Sequence, residues 1–126
     1  MMRKLFFLLS SLVLVALGGC ERAGPNVSFS TDVHPILEKY CLDCHMAGKP
    51  GYEASGLDME SYGVLMKGTR FGPVVIAGDR LNSALTMLIE GRADPSIKMP
   101  HGDRPGPNAA DIEIIGRWVD QGAMNN

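Results

Sequence analysis

Apolar residues follow two different patterns along this chain, one continuous and one periodic. Positions 5–17 are apolar apart from two serines, and Arg3 and Lys4 stand directly before them. A run of this length is too short to span a bilayer comfortably but is typical of the hydrophobic part of an export signal. We therefore predict that residues 1–19 are a signal peptide.

The residues after this run indicate how the signal is processed. Leu17-Gly18-Gly19-Cys20 is similar to a bacterial lipobox, in which the cysteine is lipid-modified and becomes the first residue of the mature chain. An ordinary secretory signal that leaves Cys20 unmodified is the alternative, but no Ala-x-Ala-like cleavage site competes with the lipobox. We predict an exported protein that is lipid-anchored on the periplasmic side of a bacterial membrane or at the cell surface.

The periodic pattern starts beyond a short polar segment. Residues 20–29 hold the modified cysteine and few apolar side chains, which predicts a flexible tether, and residues 30–126 then form one small domain. The first stretch of the domain has the three- and four-residue spacing of an amphipathic helix, which we expect to begin near Ser30 or Thr31 and to carry two cysteines at its C-terminal end. The positions on its apolar face are Val33, Ile36, Leu37, Tyr40 and Cys44.

Two shorter helices are predicted in the middle of the domain. Lys49-Pro50-Gly51 indicates a loop after the first helix. Residues 58–67 predict a short helix that stops at Gly68, and residues 80–90 predict another that stops at Gly91. The inward-facing positions are Tyr62, Leu65 and Met66 in the former and Leu81, Leu85, Leu88 and Ile89 in the latter.

The last helix has the clearest start signal. Asn108 is a favoured N-cap residue, and Asp111 follows at the spacing of a capping box. The stretch 92–107 is rich in proline and glycine and predicts an irregular loop, whereas the strand-like residues 74–76 are too few to build a sheet. We therefore predict an all-α fold of about four short helices and long loops. The inner face of the last helix comprises Ile112, Ile115, Val119 and Gly122, widened by Ile114 and Trp118.

Charge and cysteine content narrow the possible functions. Without residues 1–19 the chain keeps ten basic and fourteen acidic residues, a formal net charge of −4, which disfavours a nucleic-acid-binding surface. The chain has three cysteines. If Cys20 carries lipid, Cys41 and Cys44 remain as a pair with a shared task, and no cysteine is left over.

Cys41 and Cys44 belong to the strongest chemical signal in the sequence. Cys41-Leu42-Asp43-Cys44-His45 has the C-x-x-C-H spacing that attaches c-type haem, in which each thiol adds to one vinyl group and the adjacent histidine binds the iron. A thioredoxin-like redox pair would need a βαβ setting, and a zinc site would need four ligands, neither of which the sequence predicts. We predict one covalently attached haem c with His45 as the proximal axial ligand of its iron.

The second axial ligand is expected from the loop before the last helix. Met99 lies there beside a proline, and a loop of this kind can present a thioether to the far side of the haem. His101 is the alternative ligand because it lies two residues further along, whereas His34 would have to fold back along its helix. The other methionines of the mature chain are adjacent to His45, at helical core spacing or ambiguous in position. They are Met46, Met59, Met66, Met87 and Met124.

Taken together, these stretches resemble a class I c-type cytochrome, and more closely the planctomycete-type small cytochrome c domain family. The resemblance implies a small cytochrome c fold wrapped around one haem, in which the first and last helices pack on each other and Trp118 has a structural role. The chain departs from the family at Met99-Pro100-His101, where members typically have Met-Pro-Pro. The matching stretches are residues 29–45, 55–68, 75–88, 98–100 and 114–123.

Two functions of different class remain open. The leading hypothesis is a membrane-tethered monohaem c-type cytochrome that shuttles single electrons between redox partner proteins and is not an enzyme, because histidine and methionine together would leave no open position at the iron. The alternative is a haem protein with an open or labile sixth site that binds or reduces a small molecule, as a gas sensor or a peroxidase-like protein does. It requires Met99 to be weakly bound or absent from the iron.

Overall fold

A computed structural model describes residues 24–126 of the chain. The predicted signal peptide at 1–19 and the predicted lipid on Cys20 lie outside the described residues. None of the helices within residues 24–126 has the length and apolar character needed to cross a membrane.

Residues 24–126 form five α-helices joined by long loops, which agrees with an all-α class. An isolated antiparallel bridge between Thr69 and Gly72 is the one strand-like pairing between these limits. A π-helical turn at Phe29–Val33 leads directly into the first helix, and a 3-10 turn at Pro95–Ile97 precedes the last. The helices are α1 at His34–Tyr40, α2 at Pro50–Ser55, α3 at Tyr62–Leu65, α4 at Ala84–Ile89 and α5 at Ala109–Asp120.

The first helical segment begins and ends slightly earlier than its apolar pattern predicts. Ser28 caps it, because its hydroxyl accepts a hydrogen bond from the Thr31 amide. At the other end Cys41 is the C-cap, so the cysteines follow the helix instead of lying within it. The amides of Cys44 and His45 both donate to the carbonyl of Cys41, at 3.1 and 2.9 Å, which closes a tighter turn after α1. The helical spacing of apolar residues continues past Tyr40, although the regular helix ends there.

Two residues just before this helix pack into the folded domain. Val27 and Phe29 are buried, at 7% and 5% exposure. The Val27 amide donates to Oε1 of Gln121 at 2.7 Å, and the Phe29 amide donates to Oδ1 of Asn126 at 2.8 Å. These two apolar side chains of the predicted tether therefore contribute to the core, and the domain boundary at residue 30 stays a prediction.

Helix α5 forms the centre of the core, and its predicted start is confirmed. Asn108 and Asp111 make a reciprocal capping box. The α5 helix packs on the Phe29–Val33 turn, where the rings of Phe29 and Trp118 lie 5.4 Å apart between centroids. The indole Nε1 of Trp118 donates to the Met124 carbonyl at 2.9 Å, so all of its polar capacity is used within the core. The packing of the terminal helical segments that the resemblance implies is thus present, with Trp118 in a structural position.

Two helices in the middle of the domain, α2 and α4, begin at other residues than the sequence predicts. Pro50 and Gly51 do not form a loop but begin α2, since a proline at the first position of a helix loses no hydrogen bond. Helix α4 begins at Ala84 and not at residue 80, and Leu81 is 66% exposed instead of facing the core. The Ser83 amide and hydroxyl both donate to the Asp79 carbonyl, which forms a turn before the helix.

The third helix is shorter than predicted and stops before a required glycine. Leu65 is fully buried, as its spacing indicates. At Gly68 the φ angle is +77°, and a Cβ there would collide with the Gly72 carbonyl oxygen. Only glycine combines that backbone angle with so close an approach of two main chains.

Candidate functional site

A cavity of about 530 Å³ opens between the C-terminal end of α1, helices α2 and α4, and the loop that precedes α5. Its size is within the range of small-molecule and cofactor sites. Most of the wall is apolar. Its aliphatic and thioether side chains include Leu57, Met59, Val74, Leu85, Leu88 and Ile89. The remaining lining residues are Tyr40, Cys41, Cys44, His45, Pro50, Gly51, Ala54, Ser55, Thr69, Met99, Pro100, His101, Arg104 and Pro107.

Both cysteines and the histidine of the C-x-x-C-H stretch lie on the wall of this cavity. Cys41 and Cys44 are partly buried and are not joined in a disulfide. His45 is 9% exposed. The tight turn after α1 is what brings the three side chains to one wall, because it places His45 one turn beyond Cys41.

His45 is a buried polar side chain in apolar surroundings. Its Nδ1 atom has no hydrogen-bond partner among residues 24–126. Burial lowers the pKa of His45, which outweighs the opposite influence of the Leu57 main chain. A neutral imidazole is the form that can give a nitrogen lone pair to a metal ion.

The environment of the Cys41 thiol differs from that of a reactive thiol in a thioredoxin-like pair. Burial, together with the neighbouring Cys44, raises the pKa of the Cys41 thiol to about 11. Redox-active cysteine pairs depend on a thiolate with a lowered pKa, which helix N-termini or nearby cations provide. Cys41 is instead located after the C-terminal end of α1.

The loop before α5 brings both candidate distal ligands to the cavity. Met99 is partly buried, and its amide donates to the Leu88 carbonyl at 3.4 Å, which holds this part of the loop against α4. His101 lines the same cavity but is exposed. The structure therefore brings Met99 and His101 to the cavity that His45 lines, and the choice of Met99 over His101 remains a prediction.

The other histidine and most other methionines lie elsewhere. His34 is not among the residues that line the cavity; its Nε2 is 2.9 Å from the Glu60 carbonyl, and its Nδ1 is 3.6 Å from the Glu38 carboxylate. Met59 is the exception among the methionines, since it is 4% exposed and lies on the cavity wall. The main-chain amide of Met59 donates to the His45 carbonyl at 2.8 Å.

Three lining residues contact the C-x-x-C-H stretch in a way that the sequence did not predict. Besides Met59, Gly51 lies against the imidazole of His45, and Nη1 of Arg104 is 3.2 Å from Sγ of Cys44. A proline followed by glycine is a signal of irregular backbone in sequence, but it gives no indication of a contact with a histidine six residues earlier. For Arg104, no feature of the sequence indicates the contact.

The donor set and the cavity fit a haem. Two free thiols stand beside a buried histidine, on the wall of an apolar space that the side chains of residues 24–126 leave open. Cys41 and Cys44 would hold the group covalently, and His45 would bind the iron.

The comparisons with known proteins agree with this assignment. A family of protein domains described as planctomycete cytochrome C matches residues 41–103, which is half of the chain. No curated protein and no solved structure gave a significant match.

Proposed function

We propose that this chain, which belongs to the planctomycete cytochrome C family, is a monohaem electron carrier tethered to a membrane by lipid. Membership of the family implies covalently bound haem c and suggests haem-based electron transfer. Haem supplies one-electron chemistry, as its iron alternates between the ferrous and ferric states. The observation that carries the proposal is the apolar cavity with Cys41, Cys44 and His45 on one wall.

The residues around the cavity have separate tasks in this proposal. Cys41 and Cys44 would attach the haem covalently, so that it would not exchange with the surroundings. His45 would bind its iron, and Met99 would supply the second ligand, with His101 as the alternative. The apolar residues of α4, chiefly Leu85 and Ile89, exclude water from the site, which keeps the difference in solvation between the two oxidation states small.

The partners of such a carrier are other redox proteins, which give and take single electrons at its surface. Filled axial positions leave no place for a substrate at the iron, and this favours a carrier over an enzyme. The net charge of −4 that remains without residues 1–19 disfavours work on nucleic acid, and the predicted lipid on Cys20 is consistent with work at a membrane surface.

Visible spectroscopy tests the proposed function directly. The protein, expressed with its full signal and a haem-attachment system, is expected to show the sharp α and β bands of a low-spin c-type haem when reduced. The colour should remain with the polypeptide after extraction with acidified organic solvent, because thioether bonds survive this treatment. A colourless product, or haem that is fully extracted, would contradict covalent attachment.

The predicted anchor is tested separately through Cys20. We expect Cys20→Ala to move most of the protein from the membrane fraction to the soluble periplasmic or extracellular fraction, or to stop signal removal, while the visible spectrum of any folded product stays the same. Mass spectrometry of the wild-type N-terminus should find a lipid-modified Cys20. A wild-type N-terminus downstream of Cys20 in a soluble protein would show simple export instead.

A further inference from the structure

The contact between helix α2 and the C-x-x-C-H stretch depends on a residue without a side chain. Gly51 is the second residue of α2 and lines the haem cavity. A Cβ atom built at this position would lie 2.8 Å from Cε1 and 2.9 Å from Nδ1 of His45, and 2.8 Å from the carbonyl oxygen of Cys44. Real Cβ atoms essentially never come within 3.0 Å of another heavy atom, so any side chain here would displace a neighbour.

The neighbours of Gly51 are held in place by main-chain hydrogen bonds. The Tyr52 amide donates to the Cys44 carbonyl at 3.0 Å, and the Met59 amide donates to the His45 carbonyl at 2.8 Å. The Gly51 carbonyl in turn accepts from the Ser55 hydroxyl at 2.7 Å. Position 51 therefore lies between main-chain atoms that hydrogen bonds hold in place and the imidazole ring of His45, so an added side chain must displace one or the other.

We propose that Gly51 is a positioning residue for the iron-ligating histidine: the absence of a side chain lets the start of α2 lie against the Nδ1 and Cε1 edge of His45 and sets the orientation of its ring. This inference rests on the proposed function, since it concerns the ligand of the haem iron. It goes beyond that function because it assigns the ring orientation to a residue outside the C-x-x-C-H stretch. Replacement of residues that orient a metal ligand typically costs about 10–100-fold in metal affinity or activity.

Gly51→Ala is the variant that tests the proposal. The added methyl group must either lift the start of α2, which breaks the bond from Tyr52 to Cys44, or rotate the imidazole of His45. Both the electron paramagnetic resonance g values and the order of the haem methyl resonances in the oxidised protein depend on the angle of the histidine plane. We expect both to shift in Gly51→Ala relative to the wild type.

Gly63 offers a matched control in another short helix. It lies in α3, and a Cβ at this position meets no atom within 4 Å. Gly63→Ala makes the same chemical change, and alanine favours a helix more than glycine does. It should leave the g values and the methyl resonances as they are in the wild type.

A measurement on the wild type covers the case in which Gly51→Ala does not yield haem-loaded protein. The Hα proton of Gly51 that takes the place of a Cβ points at Cε1 of His45, so the reduced holoprotein should show a nuclear Overhauser effect between this proton and His45 Hε1. Its absence would overturn the proposal, as would a haem-loaded Gly51→Ala variant with wild-type g values and methyl resonances. A wild type without haem would instead refute the proposed function itself.

Discussion

Replacement of both Cys41 and Cys44 by alanine is expected to give a protein that holds no covalent haem and does not fold stably. The two thiols are on the wall of a cavity of about 530 Å³ in a domain of roughly a hundred residues. Without the haem, the apolar wall of this cavity would be left exposed to water. Such a loss of apolar burial is serious for a domain whose whole stability is typically only about 5–15 kcal/mol.

Circular dichroism and thermal unfolding measure this effect. We expect the double variant to lose most of its helical circular dichroism signal, or to show no cooperative transition when it is heated. Asp43→Ala is the control, because Asp43 is an exposed residue between the two cysteines and its replacement keeps their spacing. Asp43→Ala should retain the haem, the helical content and the thermal midpoint. A double variant with wild-type helicity and midpoint would show that the chain supports its fold without the haem.

Replacement of Met99 by alanine is expected to open the iron to external ligands. With His45 and Met99 both bound, the reduced wild type should bind carbon monoxide little at neutral pH, whereas Met99→Ala should bind it readily. The oxidised variant should lose the thioether-to-iron charge-transfer band. Its reduction potential should fall by more than about 0.1 V, because the soft thioether favours ferrous iron. Axial ligands change the reduction potential of haem over a range of roughly 0.8 V.

His101→Ala is the matched control for this experiment, because His101 lines the same cavity from the same loop. We expect it to leave carbon monoxide binding, the charge-transfer band and the potential nearly unchanged. If His101→Ala is the variant that changes them, His101 is the distal ligand. Ready binding of carbon monoxide by the wild type would favour the alternative function, in which an open sixth site binds or reduces a small molecule.

The features that can be predicted reliably from the sequence are those that depend on residues close together in the chain. The C-x-x-C-H spacing indicates the chemistry of the site, because both thiols and the histidine lie within one short stretch. The capping box of Asn108 and Asp111 is a bond between residues three apart, and it is present as predicted. The buried positions of α5, such as Ile115 and Trp118, follow from the periodicity of a single helix.

The errors of sequence reasoning occur where a distant contact overrides a local pattern. Leu81 has the spacing of a core residue but is exposed, because the turn at Ser83 delays the start of α4. Val27 and Phe29 lie in a segment of low apolar content but are buried, because Gln121 and Asn126 bind their amides from almost a hundred residues away. Neither outcome can be derived from neighbours in sequence.

The sequence by itself thus determined the all-α class, the start of the last helix and the family to which the chain belongs, since each depends on residue types at short spacing. Only the tertiary structure decided that Cys41, Cys44, His45, Met99 and His101 line one cavity, and that Gly51 lies against the imidazole. The physical reason is that a cavity wall and a close approach of two main chains are made by segments separated along the chain, whose distances follow from the packing of the whole domain.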